Sequence, residues 1–178
     1  MPGGTATPLW RLSASELPAL IRRRERTSRE VVEAHLARIA EVDPVCRAIG
    51  AVLADPALAA ADAADAAQRR GDAIGPLHGV PMTVKENIDV AGSATTQGVV
   101  VMKDAVPQLD APHVAQLRAA GAIVIARTIH CTPCGSPFAT AGDGSEALNT
   151  AGRTPSSPAR GLVQILATTT LRAAPPSR

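Results

Sequence analysis

Gly75-Pro76-Leu77-His78-Gly79-Val80-Pro81-Met82-Thr83-Val84-Lys85-Glu86-Asn87-Ile88-Asp89-Val90-Ala91-Gly92 is the stretch that decides how this chain is read. Its first five residues are a loop punctuated by Gly and Pro. Residues 80–85 form an apolar run predicted to be a strand, with Pro81 near its start, where a missing N–H costs little. The run ends on a lysine and is followed by polar turn residues.

On the N-terminal side the pattern is helical. Ser13 can cap a helix that begins at Glu16, and Thr27 stands three residues before Glu30, the spacing of a capping box. Val32, Leu36 and Ile39 then share one helical face until Asp43-Pro44, where the helix is predicted to stop. These two helices are expected to pack as a hairpin. Arg47 to Leu53 is short and apolar enough for a strand, and Asp55-Pro56 opens an Ala-rich helix that runs to Arg70 and ends at Gly71.

On the C-terminal side Asp110 is predicted to cap a helix from Pro112 to Ala120, ended by Gly121, and Ala122 to Ala126 reads as a buried strand. Strand, helix and strand in this order define an α/β layered fold with some parallel pairing. The orderly region is residues 9–128. Beyond it 23 of 50 residues are Ser, Thr, Pro or Gly, against 29 in the preceding 128, and periodicity is lost. Residues 129–178 are therefore expected to be a poorly ordered tail, in which only Gly161 to Leu166 could form a strand or turn.

Composition removes several function classes. The 178 residues carry 18 basic and 16 acidic side chains, a balance too even to dictate a polyanionic partner. Arg22, Arg23, Arg24, Arg26 and Arg29 cluster locally, but no aromatic residue interleaves them, so nucleic-acid binding is not expected and a solvated helix face is. With 1% aromatics the core must be built from Ala, Val, Leu and Ile, which implies modest stability. There is no signal-peptide pattern and no run of 18 apolar residues, so the expectation is a soluble, cytoplasmic protein without membrane contact. Three cysteines form no disulfide framework.

Lys85 is the candidate catalytic residue. Only it and Lys103, among eighteen basic residues, are lysines. A guanidinium keeps its proton in proteins, whereas a desolvated ammonium can lose one and act as base or nucleophile. On an extended backbone Glu86 points away from Lys85 and Asn87 shares its side. The alternative reading is a lysine that snorkels from a strand end.

The quoted segment resembles the lysine-bearing region of the amidase signature family. Thr95-Thr96-Gln97-Gly98, Asp110 to Val114 and Gly121 to Thr128 are similar to the loop, helix and strand that follow in that family, and the two N-terminal helices resemble its opening hairpin. The resemblance implies a partial layered α/β/α amidase-like fold and hydrolysis of a carboxamide by a lysine and two serines, without metal or organic cofactor. Lys85 would be the base, taking a proton from the nucleophilic hydroxyl through a bridging serine. His78 would line a substrate pocket or order its own loop.

The likeness stops after Thr128. The family continues with a Gly-Gly-Ser-Ser-Gly-Gly segment and a later Gly-Gly-Ser nucleophile, and this chain has neither; Ser156-Ser157 lies between prolines and is not a substitute. The expected molecule is truncated and inactive alone, a product of a frame change near codon 129. A glycine-serine-rich continuation in another reading frame of the same DNA is the corresponding expectation. Its alternative is a noncatalytic module that binds a partner, or itself, through an exposed sheet edge. Cys131-Thr132-Pro133-Cys134 has the spacing of a redox or zinc pair, but the following Gly-Ser-Pro is poor helix sequence and a second ligand pair is missing, so these are read as loop cysteines. His35, beside the Val32-Leu36-Ile39 face, is read as a partly buried helix residue.

Overall fold

The computed structural model describes residues 7–129. A 3₁₀ turn, Leu9–Arg11, leads into α1 (Glu16–Arg22), α2 (Ser28–Cys46), β1 (Ile49–Val52), α3 (Ala54–Arg70) and β2 (Pro81–Lys85). A second 3₁₀ turn, Val100–Met102, α4 (Pro112–Ala119) and β3 (Ile123–Thr128) follow. The predicted tail lies outside the described residues except for Ile129, whose N–H donates to the Ala48 carbonyl at 3.0 Å.

The sheet order is β1-β3-β2, so the last strand is central. β2 pairs parallel to β3, Pro81 opposite Ile123 and Lys85 opposite Thr128, and β1 pairs with β3 antiparallel. Helices cover both faces. Val32 and Ile39 of α2 meet Ala57 and Ala61 of α3 over Ile123 and Ile125 on one face, while Val114 of α4 meets Met82, Val84 and Val124 on the other. The alternation along β3 thus serves two cores at once, as a covered sheet requires. Fully buried alanines on α3 let α2 come close without a large side chain between them.

The first helices meet as expected, through Leu17 and Ile21 of α1, Val31 of α2 and Val80. Thr27 caps α2 in a complete capping box with Glu30, and before α1 the Ser13 hydroxyl accepts the Glu16 N–H while the Glu16 carboxylate accepts the Ser13 N–H.

Two boundaries differ from the sequence reading. α2 does not stop at Asp43-Pro44 but runs through Pro44 to Cys46. In the last turn a proline forfeits only one ladder bond, and Asp43 secures the end: its Oδ1 accepts the N–H groups of Ala48 and Ile49 at 2.8 and 3.0 Å. Asp110, in turn, does not cap α4. Its carboxylate accepts the Ala91 N–H at 2.8 Å and lies 3.4 Å from Arg118 Nε, tying the loop after β2 to α4 instead.

Candidate functional site

Lys85 is the last residue of β2, beside Thr128 at the end of the central strand. It is half-buried, and its amine has no hydrogen-bond or ion-pair partner among the described residues. The residue after it is committed elsewhere. Glu86 N–H donates to the Thr128 carbonyl at 2.9 Å, and its carboxylate accepts the Thr96 hydroxyl at 2.7 Å, which draws the 93–98 loop against this end of the sheet. The alternation expected to set Glu86 and Asn87 on opposite sides needs an extended backbone, but the strand ends at Lys85: Ile88 N–H donates back to the Lys85 carbonyl at 3.0 Å, and residues 85–88 form a turn.

Beneath that turn lies Arg127, which sequence reasoning passed over. It pairs with Val84 in the sheet, is 2% exposed, and donates through Nη2 to the Ile88 carbonyl at 2.7 Å. Its Nε and Nη1 are buried with no partner among the described residues. Burial pulls the guanidinium down from its usual range, against the attraction of Glu86 and Asp89. An arginine directly after a five-residue apolar run, Ala122 to Ala126, was the available signal, since it continues a strand that the composition already buries.

A second buried polar group joins three elements. Asp65 of α3 accepts the N–H groups of Ser28 and Arg29, at 2.7 and 3.1 Å, while His78 and Ser28 are themselves buried and the Ser28 hydroxyl is unpartnered among the described residues. Serine, histidine and aspartate in one neighbourhood invite comparison with a hydrolytic triad, but both Asp65 oxygens cap a helix and no hydrogen bond joins Ser28 to His78. Burial pushes the His78 imidazole down, opposed by Asp65 and the Ala64 backbone and aided by Arg22. His78 also borders a cleft of about 540 Å³ between α3, the 90–93 loop and α4, and Lys85 is not among the residues that line it. His35 is buried in α2, as the sequence implied, with Nδ1 2.7 Å from the Val31 carbonyl.

No group of three or more His, Cys, Asp or Glu side chains capable of holding a metal occurs among the described residues. No described helix is long and apolar enough to cross a membrane. Cys131, Cys134, Ser156 and Ser157 lie outside the described residues.

This helix-sheet-helix arrangement matches a known family. The Amidase family model covers residues 30–133, and the chain belongs to that family. It is 45% identical over 121 residues to an indoleacetamide hydrolase of Bradyrhizobium diazoefficiens, covering 68% of this chain and 23% of that protein. It is 42% identical over 120 residues to one component of the glutamyl-tRNA(Gln) amidotransferase of Acidothermus cellulolyticus, covering 67% and 24%. Among solved structures, the native peptide amidase of Stenotrophomonas maltophilia superposes with a TM-score of 0.62 at 36% identity, over 65% of this chain and 24% of that one. The chain thus spans about a quarter of the length of the curated relatives it matches.

Proposed function

We propose that this chain is the lysine-bearing portion of a carboxamide hydrolase, with Lys85 as its base, and that the 178-residue polypeptide does not turn over amides alone. The observation that carries the reading is Lys85, a half-buried residue whose amine is unpartnered among the described residues, at the end of β2 in an amidase-family chain. When neutral, such an amine can accept the proton of a serine hydroxyl relayed through a second hydroxyl, and the freed oxygen then attacks the amide carbon. Expulsion of the amine and hydrolysis of the acyl-serine would complete the cycle, with no metal or organic cofactor needed. Residues 1–178 do not contain the glycine-flanked serines of the family, so the hydroxyls of the assembled site would come from outside this stretch. Small-molecule amides in the cytoplasm are the proposed substrates of the assembled site.

A second reading, a noncatalytic module that associates with itself or a partner, is favoured by one feature. β2 is an edge strand of the described sheet, and Val52, Val100, Val101 and Leu109 are apolar and exposed. Hydrolysis of simple amides by the wild type and Lys85→Ala, run beside a sizing measurement, separates the readings. Turnover by the wild type alone would overturn the claim of inactivity, and its survival in Lys85→Ala would remove the lysine from the chemistry. A complementing polypeptide that restores Lys85-dependent hydrolysis supports the proposal; association without any turnover supports the module.

A further inference from the structure

The buried arginine of β3 is more than ballast for the sheet. A guanidinium removed from water is expensive unless its donors are used, and an unbranched apolar side chain could fill the same space without that cost. Arg127 is 2% exposed, forms no ion pair among the described residues, and makes one side-chain hydrogen bond there, from Nη2 to the Ile88 carbonyl at 2.7 Å. That one bond falls on the turn that ends β2. The Lys85 carbonyl accepts Ile88 N–H at 3.0 Å, and the Glu86 N–H donates to the Thr128 carbonyl at 2.9 Å. Residues 85–88 are therefore held from within the turn, from the neighbouring strand, and from below by Arg127. Because Arg127 pairs with Val84 and Thr128 with Lys85, the same stretch of β3 supplies both external holds.

We propose that Arg127 is the positioning residue of Lys85: by fixing the Ile88 carbonyl it locks the turn that holds Lys85, a half-buried residue, at the sheet end. The inference rests on the reading of Lys85 as the working group, but its test does not require turnover. With the carbonyl released, the turn can relax and Lys85 become more accessible to solvent without loss of the core.

The chain carries its own control, since Lys103, the other lysine, is exposed. Competitive acylation of the full chain with a small amine-reactive reagent, read by peptide mass spectrometry across pH, gives the Lys85 to Lys103 rate ratio. In the wild type Lys85 should react at least about three-fold more slowly than Lys103, and in Arg127→Met the two rates should converge. Val114→Ala, which loosens the core under α4, should leave the ratio unchanged even where it lowers the melting temperature as much. If Arg127→Met fails to fold, Arg127→Lys, which keeps a charge but loses the forked donor, is measured in its place. An unchanged ratio in the folded Arg127 variant, or an equal change in Val114→Ala, would overturn the proposal. Lys85-independent hydrolysis would instead sink the proposed function and leave the labelling result standing.

Discussion

The carboxylate of Asp65 accepts the backbone N–H of Ser28 at 2.7 Å, so that a side chain from α3 closes the first turn of α2, thirty-seven residues earlier in sequence. Its second oxygen takes Arg29 N–H. The positive end of α2 is thereby neutralised from outside, in addition to its local capping box. Gln68, one turn further along α3, donates to the Ile21 carbonyl at 2.6 Å and holds the end of α1. Helix α3 thus clamps the junction of the first two helices.

Asp65→Ala should consequently destabilise the fold by about 2–3 kcal/mol, because it leaves two N–H groups of the α2 N-terminus without a charged acceptor. Asp65→Asn should cost less, since one amide oxygen can still accept. Urea midpoints followed through Trp10, the single tryptophan, which packs against Arg38 at 4.4 Å, would measure both. A cost below about 0.5 kcal/mol for the alanine variant would show that the local box suffices.

Stability should fall on mild acidification. Burial depresses both His35 and His78. In the unfolded chain each titrates near about 6.5, so below that value the unfolded state binds more protons than the folded one. The stabilisation is complete above about 6.5 and is lost as pH falls through the lower folded-state values. The urea midpoint at pH 5 should lie below that at pH 7.5, and His35→Gln or His78→Gln should flatten the difference. A midpoint that rises on acidification contradicts the assignment.

Two glycines separate backbone strain from crowding. Gly71 ends α3 at φ +80 with nothing within 4 Å of where a methyl group would sit, whereas Gly79, at φ +74, would place one 2.5 Å from Ser28 Oγ and 2.7 Å from Ile21 Cδ1. Gly71→Ala should cost about 1 kcal/mol, the left-handed penalty alone. Gly79→Ala adds overpacking against a buried pair and should cost about 3 kcal/mol in total. Equal melting temperatures for the two variants would refute the crowding contribution.

Exposed apolar residues on the 99–109 segment give a prediction for association. Replacing Val101, 87% exposed, and Leu109, 79% exposed, by serine should leave the melting temperature unchanged, since neither is packed. It should reduce any concentration-dependent growth in hydrodynamic size. If the doubly substituted chain associates as strongly as the wild type, the edge of β2 or another surface is responsible.

Much of this arrangement is legible in local stretches of sequence. The capping box at Thr27, the alanine helix ending at Gly71 and the apolar run after Gly121 are local signals, and each produces the expected element. Resemblance around Lys85 also leads to the right family. What escapes lies between elements. Asp110 has the composition of a cap, yet commits its carboxylate to Ala91, nineteen residues away. Asp43 overrides the stop signal of Pro44 by gathering amides from the next segment. Arg127 looks like a surface charge at a strand end until the turn after β2 folds over it. Periodicity and propensity describe a residue and its near neighbours along one element, and in each of these cases the deciding partner belongs to a different element.

The central position of β3 has a bearing on how the chain is made. Translation delivers β1 and β2 first, but the strand that gives each a hydrogen-bonded neighbour is synthesised last of the three. A nascent chain that has passed Lys85 therefore holds helices that can pair with one another and two ribbons that cannot, until Thr128 leaves the ribosome. During that interval Val84 and Ile49 lack the packing partners that β3 brings, so closure of both cores waits on the last strand to be made.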